Sequence, residues 1–76
     1  MRARLIFENA EAFARIATAI EITAAIEGGA GPVKLGLPAK LAGGRWILSH
    51  PFADVDADWI LAYADDPEIS IEWETT

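Results

Sequence analysis

Three stretches predict a small α+β domain. Residues 9–27, NAEAFARIATAIEITAAIE, are alanine-rich with apolar side chains at helical spacing, and residues 68–74, EISIEWE, alternate apolar and polar at the period of a strand. Between them, Gly43 and Gly44 separate two short apolar runs as the turn of a hairpin would.

Residues 2–8, RARLIFE, form the first expected strand. Ala3, Leu5 and Phe7 would point to one face, and Arg2, Arg4, Ile6 and Glu8 to the other. A helix should follow. Asn9 is a good N-cap, Glu11 places a negative charge in the first turn where the helix dipole favours it, and Gly28 and Gly29 supply a stop. Phe13, Ile16, Ala17, Ile20 and Ala24 make its buried stripe. The second half competes with this reading, because Ile20, Ile22, Ala24 and Ile26 alternate with Glu21, Thr23, Ala25 and Glu27. A strand over 20–27 paired with 32–37 is the alternative topology. The helix is preferred because alanine is a poor strand former and no turn residues precede Ile20. On a helix, Ile22 and Ile26 make a second apolar stripe, turned away from Phe13 and in need of a cover.

The GGAGP run at 28–32 reads as a connector. A phosphate cradle would need a following Lys-Ser/Thr or a G-x-G-x-x-G opening a helix, and neither is present. Val33, Leu35 and Leu37 alternate with Lys34 and Gly36, which predicts a second strand ended by Pro38, with the proline marking an edge. The turn at 42–45 leads to a third strand at Trp46, Ile47 and Leu48, and His50-Pro51 breaks the sheet. Asp54, Asp56 and Asp58 open a second helix running to about Ala64, their carboxylates suited to free N–H groups in a first turn. Val55, Trp59, Ala62 and Tyr63 would be its buried stripe, and Pro67 closes it. In the last strand Ile69, Ile71 and Trp73 face inward. If this strand lies antiparallel beside the first, Glu72 and Glu74 come near Arg2 and Arg4, a match worth about 0.2–1 kcal/mol per pair. The order is β-α-β-β-α-β, the split or ferredoxin-like arrangement of a four-stranded antiparallel sheet with two helices on one face, with residues 1–76 as a single domain.

Chemistry-bearing patterns are sparse. No cysteine is present, so thiolate metal sites and disulfides are excluded and a reducing cytosol is the expected compartment. His50 is the only histidine. A Ser49, His50, Asp54 triad is disfavoured, since adjacent residues do not normally point at each other and no oxyanion motif surrounds them. Asp54, Asp56 and Asp58 share the D-x-D-x-D start of a calcium loop, but Trp59 and Asp65 stand where its glycine and glutamate belong. The expectation is therefore no enzyme, no cofactor and no metal. Trp59 and Trp73 fall on inward faces. Trp46, beside Arg45, is the tryptophan whose position allows exposure, although core is the more usual place for the residue type. The apolar runs are too short to span a membrane, and Glu8 and Glu11 do not suit a signal peptide.

Charge is the functional clue. The net charge is −6, and residues 1–45 hold all six basic residues against four acids, a balance of +2. Residues 46–76 hold eight acids, Asp54, Asp56, Asp58, Asp65, Asp66, Glu68, Glu72 and Glu74, and no Lys or Arg. Such a half repels phosphate and disfavours direct nucleic-acid binding, while a basic protein surface attracts it. These eight residues are the expected partner-binding set, presented as one continuous outward patch. The bland alternative is a solvated surface that keeps an alanine-rich protein in solution.

On its length, lack of cysteine and those eight carboxylates, the chain resembles the small acidic anti-CRISPR proteins of phages and other mobile elements. No diagnostic motif carries the likeness. It implies a non-enzymatic inhibitor in the host cytoplasm that binds a CRISPR effector complex and blocks nucleic-acid access by steric or charge competition, as a DNA mimic does. Arg2, Arg4 and Arg15 depart from a uniformly acidic mimic. The competing expectation is a small homo-oligomeric structural or accessory phage protein, a homodimer through Ile22 and Ile26.

Overall fold

In the computed structural model, which describes residues 2–74, β1 (Arg2–Phe7) is the strand on which the rest assembles. Ala3, Leu5 and Phe7 are completely buried, as their alternation requires, and Arg2 and Arg4 are exposed on the other side. β1 pairs antiparallel with β3 (Trp46–Pro51) on one side and with β4 (Ile69–Trp73) on the other. β2 (Ala39–Lys40) adds a short edge beside β3, giving the sheet order β2-β3-β1-β4. The ladder between β1 and β4 continues past both ends, through Glu8 N–H to the Glu68 carbonyl at 3.0 Å and Glu74 N–H to the Arg2 carbonyl at 2.9 Å.

Helix α1 (Ala10–Glu27) starts where Asn9 accepts a hydrogen bond from the Ala12 N–H at 2.8 Å. It is helical throughout, so the strand alternative for 20–27 does not occur. Ala12, Ile16, Ala17, Ile20 and Ala24 are buried, and Phe13 packs edge-on against Phe7 with ring centroids 5.3 Å apart. The core is a single cluster joining Ala12, Ile16, Ala17 and Ile20 of this stripe to Leu5 and Phe7 of β1, Leu48 of β3, Ile69 of β4 and Ile60 of the second helix.

That second helix departs from expectation. Residues Asp54–Asp56 form a 3-10 turn, α2 covers only Ala57–Ala62, and a further 3-10 turn covers Tyr63–Asp65. A 3-10 turn has about three residues per turn instead of 3.6, so the α-helical phase started at Val55 points wrongly. Ile60 is fully buried, whereas Val55 is 69% exposed and Ala62 is also exposed. Trp59 and Tyr63 are half-buried against the core.

Two further expectations are corrected. Val33, Leu35 and Leu37 do not form a strand; the second strand is Ala39–Lys40. Gly36 has φ +82, a left-handed conformation that ends extended structure, and the Leu35 N–H is bonded to the Glu21 carboxylate at 2.9 Å instead of to a ladder. Leu35 is nevertheless buried, pinning this segment to the flank of α1. Nor does His50-Pro51 break the sheet: β3 runs through Pro51, opposite Arg2, because a proline at the last position of a strand sacrifices no interior ladder bond.

With both strand neighbours and α1 resting on β1, Phe7→Ala should cost about 3–5 kcal/mol and Asn9→Ala about 1 kcal/mol, read as shifts in the urea unfolding curve. A Phe7→Ala loss no larger than that of Asn9→Ala would contradict this placement of the core.

Candidate functional site

The eight carboxylates expected to form one acidic patch do not lie together. Glu72 and Glu74 belong to the open side of the sheet, where Arg4 reaches Glu72 at 3.8 Å and Glu74 at 3.6 Å. The register sets this up, since Arg4 stands directly opposite Glu72. Ser49 joins the group, accepting from Arg2 at 3.3 Å and donating to Glu74 at 3.4 Å. Asp66 and Glu68 lie at the turn into β4, where Arg15 of α1 binds them at 3.0 and 3.4 Å. The Asp66 carboxyl is held below the usual carboxylate range, chiefly by the Glu68 N–H it accepts at 2.9 Å and next by Arg15. Arg15 is raised in turn, mainly by its hydrogen bond to Asp66. Asp66 and Glu68 share one guanidinium and keep a single uncompensated negative charge, whereas Glu72 and Glu74 face Arg4 and, through Ser49, Arg2, and are balanced. Asp54, Asp58 and Asp65 are exposed on the helical layer, across the sheet from Glu72.

Asp56 is not a surface residue at all. It is completely buried, and its Oδ1 accepts from the Gly29 N–H at 2.8 Å and from Trp59 Nε1–H at 3.0 Å. It therefore ties the loop after α1 to the start of α2, where the sequence reading gave it a capping role. Oδ2 is buried with no hydrogen-bond partner among the described residues.

Ser49 and His50 point to opposite faces of β3, as neighbours in a strand must, so they cannot act on one substrate atom. His50 stands opposite Ala3 on the core side, its ring 4.6 Å from that of Phe52. Burial, and secondarily the positive Arg2, hold its imidazole below the usual histidine range against an opposing pull from Glu21. Among the described residues no group of three or more His, Cys, Asp or Glu side chains is placed to hold a metal ion, and no helix is long and apolar enough to cross a membrane.

What the structure does expose is apolar. Ile22 is 54% and Ile26 76% exposed on α1, and Val55 packs beside Gly29, just past the helix end. On α1, Ile22 and Ile26 share an outward ridge with exposed Glu11, Ala14, Arg15, Thr18 and Ala25. The α2 side of α1 is fixed by Tyr63, whose hydroxyl lies 2.7 Å from Thr23 Oγ1 and donates to the Ala19 carbonyl at 3.2 Å. On the opposite flank the 30–38 segment runs back along α1. There Ala10, Phe13, Leu37, Pro38 and Trp46 line an open groove of about 370 Å³. Leu37 stands on it 93% exposed, and the Lys40 ammonium sits 5.5 Å above the Trp46 ring. Trp46 is thus half-buried, packed on the core and lining a surface groove. Its sequence position beside Arg45 gave the only hint of this groove, since Leu37 read as one face of a strand.

Comparisons with protein-family models, with curated proteins and with solved structures each find no match to this chain.

Asp56→Ala leaves the Gly29 and Trp59 donors without their acceptor and should lower stability by about 2–3 kcal/mol, with Asp56→Asn costing clearly less because an amide oxygen can keep both bonds. Equal losses in urea unfolding would reject the latch. For His50, the unfolded chain takes up a proton near pH 6.5, above the folded value, so stability is full above about pH 6.5 and falls as the pH drops through it towards the lowered folded pKa. The urea midpoint should decrease from about pH 7.5 to about pH 5. His50→Gln should remove most of that decrease, and an unchanged pH dependence in the variant would refute the assignment.

Proposed function

We propose that this chain is a non-enzymatic, self-associating structural or accessory domain of ferredoxin-like topology, whose interface uses Ile22 and Ile26. The observation that carries the reading is the exposure of these two isoleucines one turn apart, on a helix whose opposite side is already committed to the core. A solvated helix keeps its outward face polar, and burying each isoleucine against a neighbour would contribute about 1.5–3 kcal/mol. The topology is supported by the strand order β2-β3-β1-β4 with both helices feeding one core cluster.

The anti-CRISPR-like inhibitor is the weaker proposal. Arg4 and Arg15 hold four of its eight carboxylates and Asp56 is buried, so an acidic interface would have to be built from Asp54, Asp58 and Asp65, with one balanced and one half-neutralised cluster on other sides.

Light scattering and sedimentation at micromolar concentration should show wild-type protein larger than a monomer, and Ile22→Glu should convert it to monomer without loss of helical signal. A wild-type protein that stays monomeric at every concentration tested would end this reading.

A further inference from the structure

We infer that the surface covering Ile22 and Ile26 is the Phe13–Leu37–Trp46 groove of a second copy, so that copies join head to tail. This rests on the self-association reading and specifies its geometry.

The two apolar surfaces lie on different sides of α1, the isoleucines outward and the groove on one flank. Tyr63, bonded to Thr23 and Ala19, puts α2 on one flank, and Glu21, bonded to Leu35, puts the groove-forming segment on the other. No copy can therefore close its groove with its own isoleucines.

Their charged surroundings differ in sign. Glu27 follows Ile26 at the helix end, exposed Asp54 precedes Val55, which packs beside Gly29, and Asp58 is exposed on the next turn; Arg15, on the same row of α1 as Ile22, is already held by Asp66 and Glu68. The groove is walled by a stretch of opposite character. Residues 28–53 contain exposed Lys34, Lys40 and Arg45 and no aspartate or glutamate, and Glu21, the α1 acid that meets this segment, has its carboxylate engaged by the Leu35 N–H. Two isoleucine faces brought together would bring acid to acid, and two grooves would bring base to base. Face against groove is the pairing in which the charges attract while both apolar surfaces are covered.

The groove also suits a side-chain occupant better than a small ligand. All five lining residues are apolar, whereas small-molecule sites need a few convergent polar groups to fix orientation. A face-to-groove contact uses different surfaces on the two partners. Each copy then keeps one free surface, and assembly continues into a ring or an open chain.

The test uses two variants changed only at exposed positions. Ile22→Glu/Ile26→Glu loses the face and keeps the groove; Leu37→Glu/Lys40→Glu loses the groove and keeps the face. With circular dichroism confirming that both are folded, each alone should sediment as a monomer. Mixed together they should form a heterodimer that grows no further, with an affinity at least about tenfold above the self-association of either variant. If the groove variant assembles as wild type does, the isoleucine faces meet each other and the head-to-tail geometry is overturned while self-association stands. Two variants that remain separate monomers on mixing overturn it as well. A monomeric wild type instead removes the self-association reading beneath it.

Discussion

The structure depends on the position of β1 between β3 and β4, with its inward face closed by α1. A central strand satisfies its backbone on both sides, and Ala3, Leu5 and Phe7 deliver three fully buried side chains to one layer. Because strand side chains alternate, a slip of one residue would turn that set to solvent and Arg2 and Arg4 inward. The register is thus fixed by burial, and the register in turn brings Arg4 opposite Glu72 and Ser49. The sheet's edges are left to a two-residue β2 and to β4, flanked by Glu68 and Glu74 with Glu72 along it, and short or charged edges discourage open-ended strand pairing.

The charge asymmetry of the chain resolves differently in space than along the sequence. Arg4 and Arg15 belong to the basic half, yet each sits between two carboxylates of the acidic half. Exposed pairs of this kind add little stability, but they divide the negative surface into separate groups on both sides of the sheet. Asp56 goes further and leaves the surface altogether, holding the Gly29 loop to α2. A count of charges therefore overstates the field that a partner would meet.

The helical layer shows the opposite imbalance. α1 is apolar on more of its circumference than the sheet and α2 can cover, with the core stripe on one side, the groove on one flank and Ile22 with Ile26 outward. A small alanine-rich domain buries little area per residue and gains from covering such surfaces with a neighbour. Exposed Lys34, Lys40 and Arg45 belong to the stretch that walls the groove, whereas Glu27 follows Ile26 and exposed Asp54 precedes Val55.

Local periodicity was enough to locate β1, α1, the glycine turn and β4, because each carries an unbroken pattern and its own start or stop signal: alternation under Leu5 and Ile69, and the Asn9 cap with Gly28 for the helix. The exposed isoleucine stripe was legible for the same reason. Where the pattern was short, tertiary contacts decided. Leu35 and Leu37 alternate like a strand, but Glu21 claimed the Leu35 N–H and Gly36 turned left-handed, which parted Leu35 into the core from Leu37 on the groove. A 3-10 turn shifted the phase of the second helix and exchanged Val55 for Ile60. Above all, which carboxylates stay free could not be read from their spacing. Arg15 meets Asp66, and Gly29 meets Asp56, only after the chain has closed through contacts far apart in sequence, and only the fold sets that distance.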